Sequence, residues 1–251
     1  MKKIIFVFPA LIAAMVVGCG PMPVSENKAA ADIAAVEKVD IPLAKEIPGA
    51  EASLDKNVYV IFDGSGSMGD RCGSDERFRN KLEGGKWALG EFLKKVPEKT
   101  NLGLYVFDNS GEREVVPLGS NNRRQFTLAV QAISAGGGTP LAQGMRFGTE
   151  RLVEKYQKQL GYGGFRLVVV TDGEADSIPD AALNAAKYSI PIYSIGLCVS
   201  ENHPLRAYSF SYKAADNISD LAKGLEETLA ESPTFDATEF GQVSQQAPGQ
   251  K

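Results

Sequence analysis

Three short segments carry side chains suited to chemistry, and all of them offer oxygen. Asp63-Gly64-Ser65-Gly66-Ser67 sets a carboxylate and two hydroxyls at every second position, with glycine between them. Gly136-Gly137-Gly138-Thr139-Pro140 places a threonine after a glycine triplet, and Thr171-Asp172-Gly173 supplies a second carboxylate. Hydroxyl and carboxylate oxygens are hard ligands that select Mg²⁺, Mn²⁺ or Ca²⁺ over zinc or copper. Glycine tolerates positive φ, so the first segment turns tightly while its alternate side chains point one way. The same residue types have other uses: glycine-rich loops cradle phosphate at helix N-termini, and Asp-Gly pairs often form plain turns. The position of the segments among the neighbouring elements favours the cation.

Val58-Tyr59-Val60-Ile61-Phe62, directly before Asp63, is a continuous apolar run of the kind buried on both faces of a parallel sheet. A similar run within 166–171 ends at Asp172. Further strands are expected at 102–107 and 191–199, a polar edge strand at 112–118, and a weaker strand at 209–212. In that last segment Tyr208, Phe210 and Tyr212 alternate along one face. Helical spacing covers 78–96, 123–133, 141–160, 179–188 and 218–231, with Trp87 expected in the core. Alternating strands and helices give an α/β fold, a doubly wound, mostly parallel sheet with helices on both faces. In such sheets the loops at the carboxyl ends of the strands meet where strand order reverses. With the first and fourth strands as neighbours there, Asp63, Ser65, Ser67, Thr139 and Asp172 face one point. Thr139 before Pro140 reads as an N-cap followed by proline at the first helical position.

In this order and on these elements, Asp63-x-Ser65-x-Ser67, Thr139 and Asp172 resemble the metal-ion-dependent adhesion site of the von Willebrand factor type A family. The resemblance covers about residues 57–231 and includes Phe107-Asp108-Asn109 and the Gly-Gly-Thr-Pro-Leu before the helix. It implies a six-stranded sheet in the order 3-2-1-4-5-6 with the third strand antiparallel at the edge. It also implies roles: Ser65 and Ser67 as direct ligands of Mg²⁺ (or Mn²⁺ or Ca²⁺), Thr139 as a ligand able to move in, and Asp63 and Asp172 mostly acting through water.

Composition narrows the alternatives. Of 251 residues, 43% are hydrophobic and 23% charged, values ordinary for a globular domain with a core. A net charge of −4 gives no electrostatic reason to bind nucleic acid. One histidine, His203, and three cysteines leave little for zinc, haem or iron–sulfur chemistry, or for a histidine-based triad. His203 reads as a loop residue. Cys72 and Cys198 belong at the same end of the sheet; they are either paired, as an oxidising compartment would allow, or two unpaired thiols, one of them buried. Glu174 and Asp176 flank the third segment; they are either solvated loop carboxylates or groups that adjust the rim's charge.

The N-terminus reads as a targeting signal. Lys2 and Lys3 precede an apolar run over 4–17, too short at about 1.5 Å per residue to cross a bilayer core of roughly 30 Å. Val16-Val17-Gly18-Cys19 resembles a bacterial lipobox, which implies cleavage after Gly18 and acylation of Cys19. Residues 19–53 then form a flexible tether, 54–231 the single domain, and 232–251 a disordered polar tail. Removing Lys2 and Lys3 leaves 25 basic against 31 acidic residues. The expected location is a bacterial envelope, lipid-anchored to the membrane. With Gly20 after the cysteine, that membrane is the outer one if the envelope is Gram-negative.

The expected function is binding rather than catalysis. An ion held by neutral hydroxyls and by carboxylates at one remove stays electron-poor, so a protein partner's Asp or Glu would displace its water. The alternative is a divalent-metal-dependent hydrolase of phosphate or ester bonds, for which Glu174 is the one tempting base.

Overall fold

The computed structural model describes residues 26–43, 47–72, 76–173, 175, 177–199 and 203–229. The apolar run before Asp63 forms β1 (Lys56–Asp63), and its side chains divide by parity. Val58, Val60 and Phe62 enter one core, while Tyr59 and Ile61 enter the other. A strand buries every residue this way when helices lie on both faces of its sheet.

β1 pairs in parallel with β2 (Asn101–Asp108) on one side and with β4 (Gly164–Thr171) on the other. β3 (Gly111–Gly119) returns antiparallel along β2 as the polar edge, and β5 (Ile192–Leu197) and β6 (Ser211–Ala215) continue in parallel beyond β4. The order is β3-β2-β1-β4-β5-β6, as expected, with the reversal between β1 and β4. Three helices, α2 (Lys81–Lys95), α3 (Arg123–Ala132) and α7 (Ile218–Glu227), cover one face. The other face carries α4 (Leu141–Lys158), α5 (Ile178–Lys187), the short α6 (Pro204–Tyr208) and α1 (Glu26–Ala35). Each fully buried Val, Leu, Ile or Phe in these cores contributes about 1.5–3 kcal/mol. Together they make the strand ends a rigid platform for the loops above.

Four details differ from the sequence reading. Part of the expected tether is pinned to the domain: Ala29 and Ile33, one helical turn apart on α1, pack into the second core. Past that helix the Val39 amide donates to Lys187 O (2.9 Å), and the Glu51 amide to Lys158 O (2.9 Å). Trp87 is 36% exposed rather than core, because it lies on the outer flank of α2 beside Phe78 and under the Arg77 guanidinium. The 208–212 aromatics do not share a strand face. His203 caps α6 by accepting from the Leu205 amide (3.2 Å), Pro204 starts the helix, Tyr208 ends it, and the strand begins only at Ser211. Lastly, α4 begins at Leu141, since Pro140 at ψ 50° is not helical, and the helix takes no side-chain cap. Thr139 is therefore outside the helix, one residue further from it than an N-cap would be.

The lipobox, Cys19 and the tail from 232 lie outside the described residues. Among the described residues no helix is long and apolar enough to cross a membrane.

Candidate functional site

β1 and β4 run side by side, so their carboxyl ends deliver Asp63 and Asp172 to the same rim. The Ser65 amide donates to Asp63 Oδ1 (2.8 Å), closing the turn that follows β1. Ser65 and Ser67 Oγ lie 3.1 Å apart, and Ser67 donates to Asp172 Oδ1 (2.8 Å). A hydroxyl has one proton, so Ser65 must donate to Ser67. Asp63, Ser65, Ser67 and Asp172 are thereby joined in one hydrogen-bonded chain across the strand reversal.

Thr139 follows a glycine loop whose backbone docks against the first segment; its hydroxyl is not part of that hydrogen-bonded chain. The Gly66 amide donates to Gly137 O (3.2 Å), and the Gly136 amide to Gly64 O (3.0 Å). Gly64 is dictated by close approach: a Cβ there would lie 2.9 Å from Ile133 Cγ2 and 3.1 Å from Phe107 O. Gly137 has φ +76°, and an added Cβ would press on Asp108 O at 3.0 Å. Asp108 braces this loop from below. Its carboxylate takes the Arg113 guanidinium (2.7 Å) and the amides of Ser110 (2.8 Å) and Ser134 (3.3 Å). Burial alone would raise the Asp108 pKa, but these donors and the Arg113 charge outweigh it and hold it below the usual carboxylate value.

Three contributors escaped the sequence reading. Thr171, fully buried, donates its hydroxyl to Asp63 Oδ2 at 2.6 Å. His203 is a loop residue, as expected, but a buried one at 2% exposure: Nδ1 accepts from the Leu205 amide, so Nε2 carries the proton and donates to Gly173 O (2.9 Å). It steadies the Asp172 loop with both nitrogens committed. Lys81, the first residue of α2, places its ammonium 2.7 Å from Asp172 Oδ2, with the carboxylate side chain wholly buried. A helical lysine gave no sequence signal for this, because its contact lies 91 residues away. Cys72 and Cys198 are joined by a disulfide, with Cα atoms 5.9 Å apart, tying the turn after the first segment to the end of β5. Glu174 and Asp176 lie outside the described residues.

The donor set suits a hard divalent cation. Among the described residues no group of three or more His, Cys, Asp or Glu side chains could hold a metal ion. The rim's hard oxygens are two carboxylates and the serine hydroxyls, and the Lys81 ammonium already meets one of those carboxylates. Asp63 is the most telling member. It is fully buried, and its two carboxylate oxygens are met by neutral donors. Burial pushes its pKa up, with the neighbouring Asp172 charge adding, against the lowering by Thr171 and Ser65. A buried carboxylate in that state gains by meeting a cation.

Comparison with known proteins agrees with this architecture. The von Willebrand factor type A domain model matches residues 57–245, and the chain belongs to that family. The match runs past residue 231, where composition placed the end of the domain. YwmD of Bacillus subtilis, an uncharacterized protein, is 35% identical over 75 residues, 30% of this chain and 32% of its own length. The chain thus spans about a third of that relative. Manganese-loaded TRAP protein of Plasmodium vivax superposes with a TM-score of 0.54 at 17% identity, covering 71% of this chain and 75% of that one. An aerotolerance-related membrane protein of Bacteroides fragilis does so at 0.52 and 15% identity, covering 68% and 97%. At these identities the structures share the fold.

Proposed function

We propose that this chain is a binding module of the bacterial envelope that holds a divalent cation at the β1–β4 rim and uses it to capture a carboxylate of a protein partner. The observation that carries the reading is the hydrogen-bonded chain Asp63–Ser65–Ser67–Asp172, with Thr139 on the loop docked beside it. Ser65, Ser67 and Thr139 would ligate Mg²⁺ or Mn²⁺ directly, with Asp63 and Asp172 holding its water. The bound ion supplies an electron-poor centre. Thr171 holds Asp63 in place, and His203 and Asp108 hold the two flanking loops.

Manganese in the similar TRAP structure supports the choice of cation, and the membrane-protein neighbour supports an envelope setting. Anchoring through acylated Cys19 belongs to the same proposal, and α1 would place the folded domain close to that anchor. A non-enzymatic role is favoured because His203 has no nitrogen left for proton transfer.

The test is capture from envelope extract by the immobilised protein, with wild type and Ser65→Ala compared in Mg²⁺ and in EDTA. The reading expects a partner retained only by wild type in Mg²⁺ and released by free glutamate. Retention that ignores EDTA or survives Ser65→Ala contradicts it.

A further inference from the structure

We propose that Lys81 makes cation binding conditional on the partner's carboxylate, an inference that rests on the cation-site reading above. The ammonium lies against Asp172 with its side chain 11% exposed, and Asp172 accepts from Ser67 through its other oxygen. Lys81 is also an odd occupant of its position. A helix N-terminus carries partial positive charge and disfavours a cation. The stem is nevertheless fixed: the Lys81 amide donates to Asp70 O (2.8 Å), and Asn80 caps α2 by accepting from the Glu83 amide (2.9 Å). Asp172 is what holds the ammonium at the rim.

The consequence is a charge count. Asp63 and Asp172 together would neutralise a bare dication. Lys81 already claims one of those negative charges, so among the described residues a dication leaves the buried cluster with one surplus positive charge. A surplus charge shielded from water is costly. A partner's Asp or Glu entering the ion's open position removes it. The cluster is neutral when ion and partner are both present, which couples the two binding events. Each then strengthens the other by the same factor.

The experiment is calorimetric titration of Mn²⁺ into the whole protein, with and without acetate as the carboxylate probe at constant ionic strength. Wild type, Lys81→Gln and Lys81→Arg are compared. The proposal expects acetate to strengthen Mn²⁺ binding in wild type and Lys81→Arg. It expects Lys81→Gln to bind Mn²⁺ alone about tenfold tighter or more, with a smaller acetate effect. Equal or weaker Mn²⁺ binding by Lys81→Gln overturns it, as does an acetate effect of the same size in all three. If Lys81→Gln does not fold, acetate independence in wild type overturns it alone. No Mn²⁺ binding by any of them removes the cation site itself, and this inference with it.

Discussion

The Thr171 hydroxyl donates to Asp63 Oδ2 at 2.6 Å, a bond that crosses from β4 to β1 where the sheet reverses. Both residues are fully buried, so no water replaces the donor if it is lost. Thr171→Val keeps the shape and removes the hydroxyl. Leaving the carboxylate short of a donor should cost about 1–3 kcal/mol in denaturant-induced unfolding. Mn²⁺ should recover part of that loss in the variant, since the ion supplies the missing positive charge.

The fold and most of the rim were legible because their signals are local. A five-residue apolar run before Asp63 announces a doubly buried strand, and alternating serines between glycines announce a tight turn that carries hydroxyls. What stayed hidden depends on long-range contact. Lys81 looks like an ordinary helical lysine, and Thr171 like the last residue of a strand, until β1 and β4 lie together. His203 gave no pattern at all, since its partner is a backbone carbonyl. Trp87 was misplaced because helical spacing marks a stripe but not its edge. The packing of α1 was hidden by an Ala-rich composition that suits a tether equally well.

Asp108 sets a pH dependence. Its folded pKa is lowered, so the stability it contributes is full above the ordinary carboxylate value of about 4 and is lost as pH falls through the lower folded value. Acid titration of the melting temperature should show that loss. Arg113→Met should shrink it, because the guanidinium provides the shortest bond to this carboxylate. An unchanged acid limb in Arg113→Met would show that the Ser110 and Ser134 amides suffice.

The disulfide bridges a sequence separation of 126 residues, from the turn beside the serines to the end of β5. A cross-link over so long a loop stabilises by about 2–5 kcal/mol. For a domain of this size that corresponds to a fall in melting temperature of roughly 5–15 °C on reduction. The double variant Cys72→Ser/Cys198→Ser should melt at the reduced wild-type temperature and be insensitive to reductant.

Gly64→Ala tests the docking of the threonine loop. The added methyl meets Ile133 and the Phe107 carbonyl, so the loop carrying Gly136 and Thr139 must retreat. The expected result is a stability loss of about 1–3 kcal/mol together with weaker cation binding. Native affinity at reduced stability would separate Thr139 from the site.

The most direct measurement is titration of Mg²⁺ or Mn²⁺ into the purified protein and into Asp63→Ala, with circular dichroism confirming that both are folded. The account predicts one ion bound per chain by wild type in the presence of a carboxylate, and none by the variant. Equal binding by the two proteins, or no binding by wild type with carboxylate present, would contradict it.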